Sequence, residues 1–238
     1  MPSVLITGAN RGLGLGLTQL YLADGWQVQA CCRLPAEAVE LQELLENSED
    51  RLSVHLLDLE NLQTVEAIKD TIGDNPIDVL LNVAGYYGPT IISEPGGLQI
   101  FGTTDYGVFE KTFHVNVIGP MKVCETFVEN VAGSDQKKMV TISSIAGSIG
   151  ENKSGKLYPY RASKVAVNAI MKSMSIELRD REIIAAPLHP GWVRTDMGGP
   201  LADIDAATSV SGIKNVIEGM TMAHSGRYLV YDGSELPW

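Results

Sequence analysis

The sequence of 238 residues is short of positive charge: 18 Lys and Arg stand against 29 Asp and Glu, a net charge of −11. Nucleic acids and anionic membranes are held by clustered Lys and Arg, so neither is an expected partner. Cysteine is scarce. Cys31, Cys32 and Cys124 are an odd set, two adjacent and none in CxxC spacing, which gives no disulfide framework. His55, His114, His189 and His224 lie too far apart in the chain for a paired metal site. No apolar run approaches the roughly 20 residues that span a bilayer. The opening Ser3-Val4-Leu5-Ile6-Thr7 reads as a core strand, without the basic n-region and apolar h-region of a secretory leader, so a cytoplasmic location is expected.

What is present is apolar residue in short runs. At 45% hydrophobic and within the roughly 200–250 residues one core accommodates, residues 1–238 read as a single domain. Runs rich in Val, Leu and Ile recur at Val4–Thr7, Gln27–Cys32, Leu52–Leu57, Ile77–Leu81, Lys138–Ser143, Ile183–His189 and Arg227–Tyr231. They are apolar throughout, not alternating, as strands covered on both faces must be. Helical patterns fall between them at Leu13–Ala23, Ala36–Asn47, Leu62–Ile72, Asp105–Asn130, Pro159–Arg179 and Ala207–Met222. The alternation predicts an α/β fold: a Rossmann-type doubly wound parallel sheet of about seven strands with helices on both faces. Loops past the carboxyl ends of such strands carry ligands, which marks Tyr86–Thr103, Gly147–Lys156 and Met197–Ala206 as walls of a site.

Two motifs carry chemistry. The first strand runs into Thr7-Gly8-Ala9-Asn10-Arg11-Gly12-Leu13-Gly14 and then a helix. Glycine there permits a sharp turn and close approach to a pyrophosphate, and the helix N-terminus offers N–H groups to the anion. Tyr160 and Lys164, four apart on a helical segment, share one face. A tyrosine has an ordinary pKa of about 10, and a neighbouring ammonium favours its phenolate. Tyr158 competes, but four residues on it has Ala162 instead of a lysine.

Taken in order, these motifs, with Asp58-Leu59, Asn82-Val83-Ala84-Gly85, Asn116, Ser143-Ser144 and Pro190-Gly191, resemble the short-chain dehydrogenase/reductase superfamily over the whole chain. The ending Gly226–Trp238 is similar to its C-factor and sniffer-like carbonyl reductases. The resemblance implies a catalytic set of Asn116, Ser144, Tyr160 and Lys164. Ser143 is the alternative serine, and Asn116 holds a water through its carbonyl. It implies a cofactor site of Gly8, Asn10, Arg11, Gly12, Leu13, Gly14, Asp58, Leu59, Asn82, Ala84, Gly85, Tyr160, Lys164, Pro190, Gly191, Val193 and Thr195. Val83 departs from the family's more usual asparagine, removing a hydrogen bond that staples neighbouring strands, and the Ser144-to-Tyr160 interval is longer than usual, with Glu151–Lys156 a polar surface loop.

In a Rossmann-type site an acidic residue ending the second strand accepts from a free ribose 2′-OH, whereas arginine pairs with a 2′-phosphate. Here Cys31-Cys32-Arg33 offers no carboxylate. Arg33, with Arg11 as a second cation, therefore points to NADP(H) in preference to NAD(H). The expected activity is hydride exchange with a small ketone, aldehyde or alcohol, Tyr160 moving the proton, Ser144 polarising the oxygen and Lys164 lowering the tyrosine pKa. Tyr86, Tyr87, Tyr158, Trp192 and Met197 are the expected apolar pocket. A dinucleotide-bound signalling or scaffold protein with little turnover is the alternative. The long helices after residues 105 and 159 resemble the family's interface pair, implying a homo-oligomer, dimer or tetramer.

Overall fold

The computed structural model describes residues 1–92 and 99–238; the centre of the Tyr86–Thr103 wall, residues 93–98, lies outside the described residues. Seven parallel strands form one sheet among the described residues: β1 (Ser3–Thr7), β2 (Gln27–Cys32), β3 (Leu52–Leu56), β4 (Val79–Asn82), β5 (Lys138–Ile142), β6 (Ile184–His189) and β7 (Leu229–Val230). Their order is β3-β2-β1-β4-β5-β6-β7. Seven α-helices among the described residues connect them: α1 (Gly12–Ala23), α2 (Val39–Glu46), α3 (Gln63–Ile72), α4 (Tyr106–Phe113), α5 (Gly119–Ala132), α6 (Tyr158–Glu177) and α7 (Ala206–Gly219).

Successive side chains on a strand point to opposite faces, and both faces here are buried. Val4 and Ile6 enter a core under α1, α2 and α7 with Leu17, Tyr21, Leu41 and Ile213. Leu5, between them, enters the opposite core with Val65, Phe127 and Met171 of α3, α5 and α6. Leu80 and Met139 follow Leu5, while Val79, Leu81 and Val140 follow Val4. This two-sided burial is why the strands read as unbroken apolar runs.

From β1 the chain passes first to β2 on one side and later to β4 on the other, so a crevice opens past the β1 and β4 carboxyl ends. Register brings those ends level: Thr7 pairs with Cys31 of β2 and Asn82 of β4. Ser143 and Ser144 follow β5 directly. Two sequence expectations need adjusting. The run Arg227–Tyr231 contributes only the two-residue β7, because the chain reverses just past Tyr231: Tyr231 N–H still reaches the His189 carbonyl at 2.9 Å, but Val230 N–H donates to the Ser234 carbonyl at 2.8 Å. The expected Asp105–Asn130 helix is α4 and α5 joined by a π-helical turn, His114–Ile118. Pro120 has no N–H to give the Asn116 carbonyl one α-helical step back, and the ladder widens there, with Gly119 N–H on the His114 carbonyl.

Candidate active site

A cavity of about 920 Å³ opens at these strand ends. At one end lies the glycine turn. A Cβ on Gly8 (φ +70°) would fall 2.8 Å from Ala84 Cα, and one on Gly14 would fall 2.1 Å from the Gly8 carbonyl oxygen. Neither position takes a side chain without moving backbone. The first turn of α1 has no acidic residue and no side-chain cap, so its N–H groups meet no competing anion. Where Val83 leaves no side-chain amide, Thr7 ties the strand ends: its hydroxyl accepts from Val83 N–H at 3.0 Å and Ala84 N–H at 3.1 Å. Sequence reasoning gave Thr7 no role, although it opens the glycine motif directly before Gly8.

Arg33 lines the cavity just past β2 beside Cys32, exposed, and makes no ion pair with a described residue. Arg11 differs from expectation: its guanidinium pairs with Asp196 at 2.9 Å, tying the glycine turn to the loop after β6. Asp58 lines the cavity too, one carboxylate oxygen accepting from Glu60 N–H at 3.0 Å. Leu59 reaches the wall because Gly119, at the start of α5, lets that helix close in; a Cβ there would lie 2.8 Å from Leu59 Cβ.

The other half of the cavity gathers Ser144, Tyr160 and Lys164 from β5 and α6, with Pro190, Gly191, Val193 and Thr195 from the loop after β6. Lys164 is 4% exposed and donates to the Ile142 carbonyl at 2.8 Å. Burial lowers its pKa to about 8. Its ammonium sits 5.7 Å from the Tyr160 ring centroid. For Tyr160 burial is the largest influence and raises the phenol pKa, while a Ser144 hydrogen bond pulls it down. Burial and the Ser144 bond thus act on Tyr160 in opposite directions, burial the stronger, so the phenol keeps its proton at neutral pH.

Strand alternation separates the two serines. Ser143 is turned inward, donating to Asn168 Oδ1 at 2.6 Å. Ser144 caps a short turn, its oxygen accepting from Ala146 N–H at 3.2 Å, which leaves the hydroxyl proton to give. Asn82 and Asn116 are placed behind the wall, not on it. Asn82 donates to Cys124 Sγ at 3.3 Å. The Asn116 amide binds both backbone groups of Tyr86, accepting at 2.7 Å and donating at 2.8 Å, and donates to Ser163 at 3.1 Å. Gly85 fits between these groups: a Cβ there would lie 3.6 Å from Asn116 Oδ1 and 3.9 Å from Lys164 Nζ.

Of the expected apolar pocket, Tyr86, Trp192 and Met197 line the cavity, joined by Ile92 and Leu157. Tyr87 and Tyr158 do not. Tyr87 is packed behind Tyr160, ring edge to face at 5.0 Å, and Tyr158 turns outward to Phe101 at 6.1 Å. His189, also on the wall, accepts from Ile145 N–H at 3.2 Å; burial lowers its pKa to about 4, so it is neutral.

The short chain dehydrogenase family profile matches residues 2–205. The C-signal of Myxococcus xanthus is 37% identical over 174 residues, which are 73% of this chain and all of that one. Carbonyl reductase Sniffer of D. melanogaster superposes with a TM-score of 0.88 at 32% identity, covering all of both chains. A carbonyl reductase from Pseudomonas aeruginosa PAO1, solved in complex with NADP, gives 0.84 at 32% identity, again over all of both.

Proposed function

The chain belongs to the short-chain dehydrogenase family, and from that premise we propose that it is an NADP(H)-dependent carbonyl reductase acting on a small ketone or aldehyde, or on the alcohol in reverse. The observation that carries the reading is the sharing of one cavity by the glycine turn and by Ser144, Tyr160 and Lys164. A dinucleotide fits the first half: Gly8, Gly12 and Gly14 line it, Gly8 and Gly14 let the turn close backbone to backbone where a Cβ would strike Ala84 and the Gly8 carbonyl, and Arg33 is a cation without an ion pair among the described residues for a 2′-phosphate. Its nicotinamide, when bound, supplies or accepts the hydride.

The chain's own groups supply the rest. Burial keeps Tyr160 a phenol, a proton donor suited to a carbonyl oxygen that gains charge. Ser144, oriented through the Ala146 amide, donates to the same oxygen. Lys164, fixed on the Ile142 carbonyl, would hold the ribose hydroxyls of a bound dinucleotide and presents positive charge to the Tyr160 ring as its proton leaves. Asn116 clamps Tyr86 and so holds the turn carrying Gly85. Trp192, Met197, Leu157 and Ile92 give the substrate an apolar berth.

Turnover of a carbonyl panel with NADPH tests this, using Tyr160→Phe as control. The variant should lose at least about a hundredfold in kcat, the usual scale of acid–base catalysis, and keep cofactor affinity within about twofold. Full activity in the variant would refute the proton-donor role. A second reading, a dinucleotide-binding signalling protein, is favoured by the match to a protein named C-signal; NADPH binding with no turnover across the panel would select it.

A further inference from the structure

Tyr228, directly before β7, is 1% exposed. Its hydroxyl donates to the carbonyl of Ser144 and lies 3.3 Å from the Ser143 hydroxyl. Ser143 donates to Asn168, and Asn168 Nδ2 donates to the Gly147 carbonyl at 3.1 Å. The turn Ser144–Gly147 is thereby held at both ends through its carbonyls, by Tyr228 and by Asn168. Tyr228 is itself braced. The Trp238 ring stacks on it at 5.6 Å and 26°, the Trp238 carbonyl accepts from Gly150 N–H at 3.2 Å, and Ser148 donates to the Pro237 carbonyl at 2.6 Å. These contacts join the last residues of the sequence to both flanks of the segment that aims Ser144, and none of them touches the cofactor half of the cavity.

We propose that Tyr228, with Trp238 stacked on it, is a positioning residue for Ser144, fixing the serine backbone so that its hydroxyl meets the reacting oxygen. This rests on the role given to Ser144 above. A hydroxyl that must meet a reacting oxygen gains from a rigid backbone, since small misplacements cost rate without costing binding. Tyr228→Phe removes the bond to the Ser144 carbonyl and keeps the ring stack; Trp238→Ala removes the brace and keeps the bond.

The test is a double-mutant cycle on the full chain, reading kcat and KM for the best carbonyl of the panel and Kd for NADPH. Tyr228→Phe should lower kcat about tenfold, the scale of one lost hydrogen bond, with NADPH Kd and carbonyl KM within about twofold, and Trp238→Ala about threefold. In a Ser144→Ala background Tyr228→Phe should change kcat less than about twofold, because the group it acts through is gone. An equal loss in that background, an equal loss of NADPH affinity, or wild-type kcat in both single variants would overturn the inference. If Ser144→Ala itself retains full kcat, or wild type turns over no carbonyl, it is the reading of Ser144 that fails. Amide exchange then still decides the brace: Tyr228→Phe should speed exchange at Ala146 and Gly147 but not in Gly8–Gly14, and unchanged protection would refute it.

Discussion

An ammonium with 4% of its surface exposed is costly to bury, and Lys164 carries the mark of it in a pKa lowered by burial to about 8. The sign follows from linkage. Folding disfavours the charged form, so the cost is full below pH 8 and fades as pH rises toward the unfolded value of about 10.4. The gap of roughly two units corresponds to about 3 kcal/mol at pH 6.5. Lys164→Met keeps the aliphatic stem and removes the charge, but strips the Ile142 carbonyl of its donor, which returns about 1 kcal/mol. The variant should therefore be inactive and yet melt a few degrees higher at pH 6.5, with the gain vanishing by pH 10; scanning fluorimetry at both pH values checks it, and a lower melting temperature at pH 6.5 would mean that the ammonium is a net stabiliser. Tyr160 and Lys164 were legible as a pair because helical spacing alone puts them on one face. The upward push on Tyr160 was not, because desolvation depends on which rings, Tyr87 among them, pack around it.

At the scale of elements, the end of β1 is held to the end of β4 by one hydroxyl. Thr7 accepts from two successive amides, Val83 and Ala84, and is fully buried. Thr7→Val, nearly isosteric, would leave both donors without that acceptor, at about 1–3 kcal/mol each for a buried group. Loss of about 2 kcal/mol or more in urea unfolding, with weaker NADPH binding because Ala84 and Gly85 shift, is the expected result. A change below about 0.5 kcal/mol would show that water takes over the two amides. The strands, their order of appearance and the crevice were readable from the unbroken apolar runs, since two-sided burial leaves no alternation to confuse them. The register was not, and register is what puts Thr7 level with Asn82. The break between α4 and α5 was half readable: Pro120 announces a defect, but whether the helix kinks or widens depends on packing such as Gly119 against Leu59.

At the scale of the whole molecule, the homo-oligomer implied by the family resemblance, dimer or tetramer, would cover exposed apolar side chains on or beside the long helices, Tyr106 at 76%, Ile118 at 41% and Ile176 at 67%. Light scattering at micromolar concentration should give two or four times the monomer mass, and a monomer at that concentration would count against it. The cofactor acts on the molecule as a whole through linkage, because a ligand bound only by the folded chain stabilises it in proportion to the logarithm of its concentration over Kd. At 100 times Kd the gain is about 2.7 kcal/mol, or about 5–10 °C for a chain of this size at roughly 2–4 °C per kcal/mol. In the proposed NADP(H) reading, Arg33 would set which dinucleotide reaches that ratio. It stands exposed at the end of β2 without an ion-pair partner among the described residues, next to Cys32, which offers a ribose hydroxyl no carboxylate, while Arg11 is already engaged by Asp196. A charge-assisted bond to the 2′-phosphate contributes about 1.5–3 kcal/mol, so NADH at the same concentration should give less than half the NADPH shift. Arg33→Ala should cut the NADPH shift to the NADH level and leave NADH almost unchanged, whereas Asp196→Asn, which frees Arg11, should not lower either. Equal shifts with the two dinucleotides in wild type, or an equal loss of both in Arg33→Ala, would overturn the pairing of Arg33 with the 2′-phosphate and reassign the cofactor to NAD(H), because that phosphate is what distinguishes the two ligands.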